Sequence, residues 1–185
     1  FLVEEHASRK LDHGVQGTRA VLRRFNLTER RVDWETALTL PGRQSPLIGA
    51  IDVAVSPDYR TILVKEYSEP GYGKVSPPPQ AWAVDVASKA VKTLTIPMTP
   101  YGTAFDRTGR YMVIGSNVEA TLTRYDLKTG KRDLIVGSLP RIHQLALSAD
   151  NRSLHVFAKG REMEIRAWPS LRLIRKVPAG NLVKG

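Results

Sequence analysis

The chain contains no cysteine, so disulfides, thiolate metal sites and a cysteine nucleophile are excluded. No apolar run comes near the ~18 residues that a membrane-spanning helix requires. Phe1-Leu2-Val3 is followed at once by Glu4-Glu5, which does not read as a signal peptide. The first residue is Phe rather than Met, as expected where the true N-terminus has been removed or lies upstream. No stretch of ten or more residues carries a helical period.

Chemical motifs are equally scarce. His6, His13, His143 and His155 stand in no HxH or HExxH spacing, and no GxSxG elbow, P-loop or Rossmann fingerprint occurs. Gly14-Val15-Gln16-Gly17 is too little for a phosphate loop. His6 and His13 flank a loop with Asp12, which is only a weak pointer to a metal, and for His143 the ordinary reading is a loop histidine bonded to backbone. The sequence therefore predicts no catalytic constellation, no metal and no cofactor. It also lacks the aromatic and basic interleaving of an RNA platform and any recognition helix, so specific nucleic-acid recognition is not expected.

What is present is an ordinary globular composition over 185 residues, 42% hydrophobic and 25% charged, with a net charge of +10 from 28 Lys and Arg against 18 Asp and Glu. That surplus favours acidic or polyanionic partners without choosing among them. The basic residues are scattered rather than gathered in one block.

The dominant signal is a repeat. Val53–Val64 reads VAVSPDYRTILV, Thr103–Ile114 reads TAFDRTGRYMVI, and Leu145–Val156 reads LALSADNRSLHV. Each is an alternating apolar run, a polar turn with Arg at the eighth position (Arg60, Arg110, Arg152), and a second apolar run: a β-hairpin used three times. A second register runs through Phe25-Asn26, Val84-Asp85, Tyr125-Asp126 and Trp168-Pro169, each ahead of a turn. Phe1–Ala7 lines up with Ile62–Ser68, placing the start of the chain on the second strand of a repeat. The expected architecture is all-β, with four-stranded antiparallel units at 50–96, 101–136 and 142–178 and a partial unit at 1–40, all in one region spanning 1–185. Glu69–Gln80, with four prolines and two glycines, is a stiff insertion that cannot lie within a sheet.

The SPDYR, DRTGR and SADNR turns, together with Val84-Asp85 and Tyr125-Asp126, resemble the β-propeller repeat superfamily of the WD-repeat and YVTN-repeat type. No Gly-His dipeptide precedes any unit, and Trp168-Pro169 lacks the aspartate, so the looser YVTN-like bacterial propellers match better than WD repeats. Three full blades and three strands of a fourth fall short of the usual closed ring of four to eight. Asn181–Lys184 is a candidate for a closing strand. The expected arrangement is nevertheless about half of a larger propeller, completed by upstream sequence or by another chain, with closure by that strand as the alternative. Propellers of the YVTN type are commonly exported, which tilts the expected location towards an extracytoplasmic one.

In such a blade the loops at one end are long and those at the other end tight. The long-loop end is the expected binding face, because function gathers on variable loops over a rigid scaffold. Its candidate binding residues are Arg43, Tyr101, Arg141 and His143 near the axis, with Tyr72 and Lys74 on the Pro-rich insertion. Arg60, Arg110 and Arg152 are read as scaffold, pairing with turn carboxylates such as Asp58 and Asp150, although the tight-turn face should be basic. The functional expectation is a noncatalytic scaffold for protein–protein interaction or self-association through its loop face and blade edges. Two alternatives stand beside it: part of a propeller enzyme of lactonase-like or quinoprotein dehydrogenase-like type, and a polyanion or cell-envelope binding module.

Overall fold

Short alternating strands can bury their apolar faces only by stacking one sheet on another, and this chain does so at three interfaces between four sheets. The computed structural model describes residues 2–6, 19–39, 51–66, 80–97, 100–139, 141–158 and 162–178. All regular structure among them is β. The first sheet has three strands in the order β1 (Leu2–His6), β2 (Arg19–Asn26) and β3 (Arg31–Thr39). The second runs β4 (Ile51–Val55), β5 (Thr61–Glu66), β6 (Gln80–Asp85), β7 (Val91–Thr95). The third runs β8 (Pro100–Phe105), β9 (Tyr111–Ser116), β10 (Thr121–Asp126), β11 (Lys131–Val136). The fourth runs β12 (Ile142–Leu147), β13 (Ser153–Ala158), β14 (Glu162–Ala167), β15 (Leu173–Pro178). Every pairing is antiparallel between neighbours in sequence, and among the described residues the sheets do not close into a ring, leaving a partial β-propeller.

The period-two alternation of each strand serves two neighbours at once. In β5, Ile62 and Val64 join Trp82 and Val84 against Leu22, Trp34 and Leu38 of the first sheet. Leu63, on the opposite face, joins Ala81, Ala83 and Leu94 against Met112, Ile114 and Tyr125 of the third. Val113 and Leu122 then meet Ile142, Leu145, Leu154 and Val156 of the fourth. Polar tips pin these layers: the Trp34 indole donates to the Val86 carbonyl at 3.1 Å and the Tyr125 hydroxyl to the Thr95 carbonyl at 2.8 Å. Burial pushes the Tyr125 phenol well above its usual pKa range, so it stays a neutral donor.

The structure corrects the second register. The amides of Lys89, Gly130 and Leu171 bond the carbonyls of Asp85, Asp126 and Ala167. Arg166-Ala167, not Trp168-Pro169, is thus the counterpart of Tyr125-Asp126. The step from Asp126 shortens from 43 to 41 residues and now equals the step from Asp85 to Asp126. The innermost strands of the last two sheets also begin three residues earlier than the pattern suggests. Pro100 opens β8, where no ladder donor is needed. Bulges at Gly102, in the left-handed region at φ +71°, and at His143 absorb one residue each. Asn181–Lys184 lies outside the described residues.

Candidate functional site

The three repeated turns are tied by one hydrogen-bond pattern. Ser56 donates to Asp58 at 2.6 Å and accepts the Thr61 amide at 2.9 Å, while Asp58 accepts the Arg60 amide at 3.1 Å. Ser148, Asp150, Ser153 and Arg152 repeat it at 2.6, 3.0 and 3.1 Å. In DRTGR the partners are exchanged: Asp106 accepts from the Thr108 hydroxyl at 2.7 Å and from the Tyr111 amide at 3.1 Å. The Ser148 hydroxyl and the Arg152 amide hold the Asp150 carboxyl below its ordinary range. For Asp58, burial acts upward, but the Ser56 hydroxyl and Arg60 outweigh it and the pKa is lowered.

Asp58 and Asp150 therefore take the arginine amides rather than the guanidinium groups expected from the sequence, and the Arg110 amide goes to Thr108 Oγ1 at 3.3 Å. The Arg60, Arg110 and Arg152 carbonyls in turn accept the Val86, Leu127 and Trp168 amides at 2.8 Å, which explains the recurrence of a residue at that point but not its charge. The Arg110 guanidinium reaches Asp126 at 3.4 Å and lies 4.8 Å from the Tyr111 ring centre. All three arginines are exposed.

At the same end, the innermost strands β4, β8 and β12 converge on an open cleft of about 320 Å³. Its walls include Val55, Phe105, Leu145 and Leu147, with Pro57, Arg107, Ser148 and Ala149 from the turns. Turn meets turn here. The Arg107 guanidinium donates to the Ala149 carbonyl, its amide donates to Asn151 Oδ1 at 3.2 Å, and a Cβ on Gly109 would stand 2.6 Å from Asp58 Oδ2. The fourth turn position is left-handed in each repeat, at Tyr59, Gly109 and Asn151 (φ 58°, 68° and 59°). Glycine and asparagine tolerate this region; a bulkier residue costs about 1–2 kcal/mol. Tyr59 is also 77% exposed.

At the opposite end, Tyr101 and His143 occupy equivalent positions, five residues ahead of Asp106 and Ser148. Both lie within strands β8 and β12 rather than in loops, because the bulges extend those strands. His143 and Arg141 are exposed, and Tyr101 is half-buried. Arg43, Tyr72 and Lys74 lie outside the described residues. Sequence reasoning missed Lys65, which is 3% exposed. Its ammonium bonds Asp52 at 2.9 Å and, across the sheet boundary, Thr103 Oγ1 at 2.9 Å. Its one signal is that it continues the alternation of Leu63 onto an apolar face. A pair buried on both sides, Arg166 and Glu164 at 2.7 Å, lies within β14. Among the described residues no group of three or more His, Asp or Glu could hold a metal ion.

No protein-family model and no curated protein matches the chain. Its structure is similar to that of Kuenenia stuttgartiensis hydrazine synthase, with TM-score 0.60 and 14% identity over 72% of this chain and 37% of that one. It is also similar to the structure of U3-55K, with TM-score 0.57 and 12% identity over 72% and 40%. The chain spans about two fifths of the length of those two proteins. Both contain a propeller, and they do not separate the YVTN type from other propellers. At these identities the likeness establishes architecture alone: the chain has the fold of part of a β-propeller.

Proposed function

We propose that the chain is a noncatalytic interaction scaffold, binding protein through its loop end, its blade edges and the outward face of its first sheet. One observation carries this reading. Phe25 and Val32 pair across β2 and β3 at the positions that Val84 and Val91 occupy in the second sheet. There the pair is packed against the preceding sheet, with Val84 fully buried. In the first sheet it is open, with Phe25 47% and Val32 43% exposed. A face that its counterpart buries on a neighbouring blade is suited to receive another blade or a partner sheet. At the loop end, Tyr101, Arg141 and His143, with Arg43, Tyr72 and Lys74, are the proposed contact residues.

Phe25→Asp tests the reading, since an exposed site tolerates the change without loss of the fold. Wild-type chain should associate in a concentration-dependent way and the variant should not. An inert, monodisperse wild-type monomer at high concentration would overturn it. A second reading, a segment of a propeller enzyme, draws support from the likeness to a synthase. A metal assay and an absorbance spectrum of the purified protein separate the two, because the scaffold reading expects both to be blank.

A further inference from the structure

The loop end is the expected binding face of such an arc, yet a cleft built jointly by three sheets lies at the other end. Its walls are the apolar side chains of Val55, Phe105, Leu145 and Leu147, left open where strands β4, β8 and β12 converge. Apolar walls of this size accept one aliphatic or aromatic side chain and reject a hydrated charge. The rim has the opposite character. Arg107 is fixed there by the Ala149 carbonyl, and its Nε and Nη2 donors have no partner among the described residues. Arg60, Arg110 and Arg152 are exposed on the surrounding turns. Of the nearby carboxylates, Asp106 is buried and Asp58 half-buried, both bonded to backbone amides and hydroxyls, while Asp150 is exposed although it accepts the Arg152 amide. An arriving anion therefore meets four guanidinium groups, those of Arg60, Arg107, Arg110 and Arg152, against one exposed carboxylate among these turns.

Tyr59 supplies an independent indication. Leu171 also adopts a left-handed backbone, but it is fully buried and its packing offsets the strain. Lys89, likewise left-handed, sits 5.8 Å over the Trp34 ring. Tyr59 has neither compensation: its side chain stands in solvent, two residues beyond Pro57 on the cleft wall, where the other repeats carry Gly109 and Asn151. A strained, exposed aromatic beside an apolar cleft has the character of a contact residue.

We infer that the turn-end cleft is a docking site for an acidic, extended segment of a protein partner. One apolar side chain of that segment enters between β4, β8 and β12, Arg107 holds a flanking carboxylate, and Tyr59 covers the bound chain. The inference rests on the interaction-scaffold reading and names its partner class, but it uses a different surface from the open face of the first sheet.

The test is fluorescence anisotropy with a labelled peptide of about twelve residues, acidic throughout with one central phenylalanine. Saturable binding is expected. Replacing the phenylalanine by serine should weaken it about tenfold or more, and Arg107→Gln about tenfold. Tyr59→Gly should weaken it several-fold while raising thermal stability, a combination that a structural role for Tyr59 does not produce; it also serves should Arg107→Gln fail to fold. Equal binding of the serine peptide, or of inorganic polyphosphate with the same dependence on Arg107, would reduce the site to a general polyanion surface and overturn the proposal. So would binding unchanged in both variants. Phe25→Asp should leave peptide affinity intact, so loss of self-association alone and loss of peptide binding alone report on the two readings separately.

Discussion

Gly115 offers the sharpest test of how the third and fourth sheets meet. It is buried next to the end of β9. A Cβ there would lie 2.8 Å from the Tyr101 carbonyl oxygen and 2.8 and 3.1 Å from Cδ1 and Cγ2 of Ile142. The first contact is within its own sheet and the other two are with the next sheet. Contacts below 3.0 Å force something to move, and overfilling a packed core costs about 1–3 kcal/mol, so Gly115→Ala should destabilise by that amount. Ile142→Val deletes Cδ1, one of the obstructing atoms, and alone should cost about 0.5–1.5 kcal/mol. Made together, the two changes should cost less than their sum, because the methyl lost from Ile142 makes room for the one added at Gly115. A coupling of about 0.5–1 kcal/mol is expected, read from urea unfolding midpoints at constant m. Strict additivity would mean that Gly115 and Ile142 do not touch, and the stacking of β12 against the third sheet would be refuted.

Trp82, 1% exposed between the first and second sheets, should cost about 3–5 kcal/mol as Trp82→Ala, measured by urea unfolding. Glu164→Gln should destabilise by about 3–5 kcal/mol because it leaves the buried Arg166 uncompensated, whereas Glu164→Leu combined with Arg166→Met should be near neutral. The Ser88 hydroxyl and amide hold the Asp85 carboxyl below its ordinary range. At Asp126, burial acts upward but the Thr129 and Lys128 amides with Arg110 outweigh it, and the pKa is again lowered. Folded-state values below the unfolded ones give stability that is complete above an unfolded pKa of about 3.9 and is lost as pH falls through the depressed values. Unfolding midpoints should therefore drop in acid. The double change Asp85→Asn, Asp126→Asn should flatten that drop while keeping the turns, since Asn26 caps the first hairpin with the same amide contacts.

The hairpin repeat was legible because its determinants are local: Ser or Asp at the first turn position, its hydrogen-bond partner at the third, and an alternating strand on either side. The fourth sheet's second register was not. There Ala167 replaces the capping aspartate, and Trp168 stands conspicuously two residues too late. The early starts of β8 and β12 were hidden for a similar reason, since Pro100 and Gly102 read as breakers while in the structure they open and bulge a strand. As a result Tyr101 and His143, expected on loops, lie within strands. The turn-end cleft had no sequence signature at all. It is made by Val55, Phe105 and Leu147, residues far apart in the chain that converge only once the sheets are stacked. The arginines of the repeat were visible, but their amides and carbonyls rather than their charges carry the repeated bonds, which leaves the guanidinium groups at the surface beside that cleft.

The most direct measurement is light scattering coupled to size exclusion on wild-type chain and Phe25→Asp over a range of concentrations. An interaction scaffold with an open blade face predicts that the wild-type mass rises with concentration and that the variant stays at the mass of one chain with an unchanged circular dichroism spectrum. A wild-type protein that remains a single-chain species throughout, or a variant that associates as the wild type does, would contradict it.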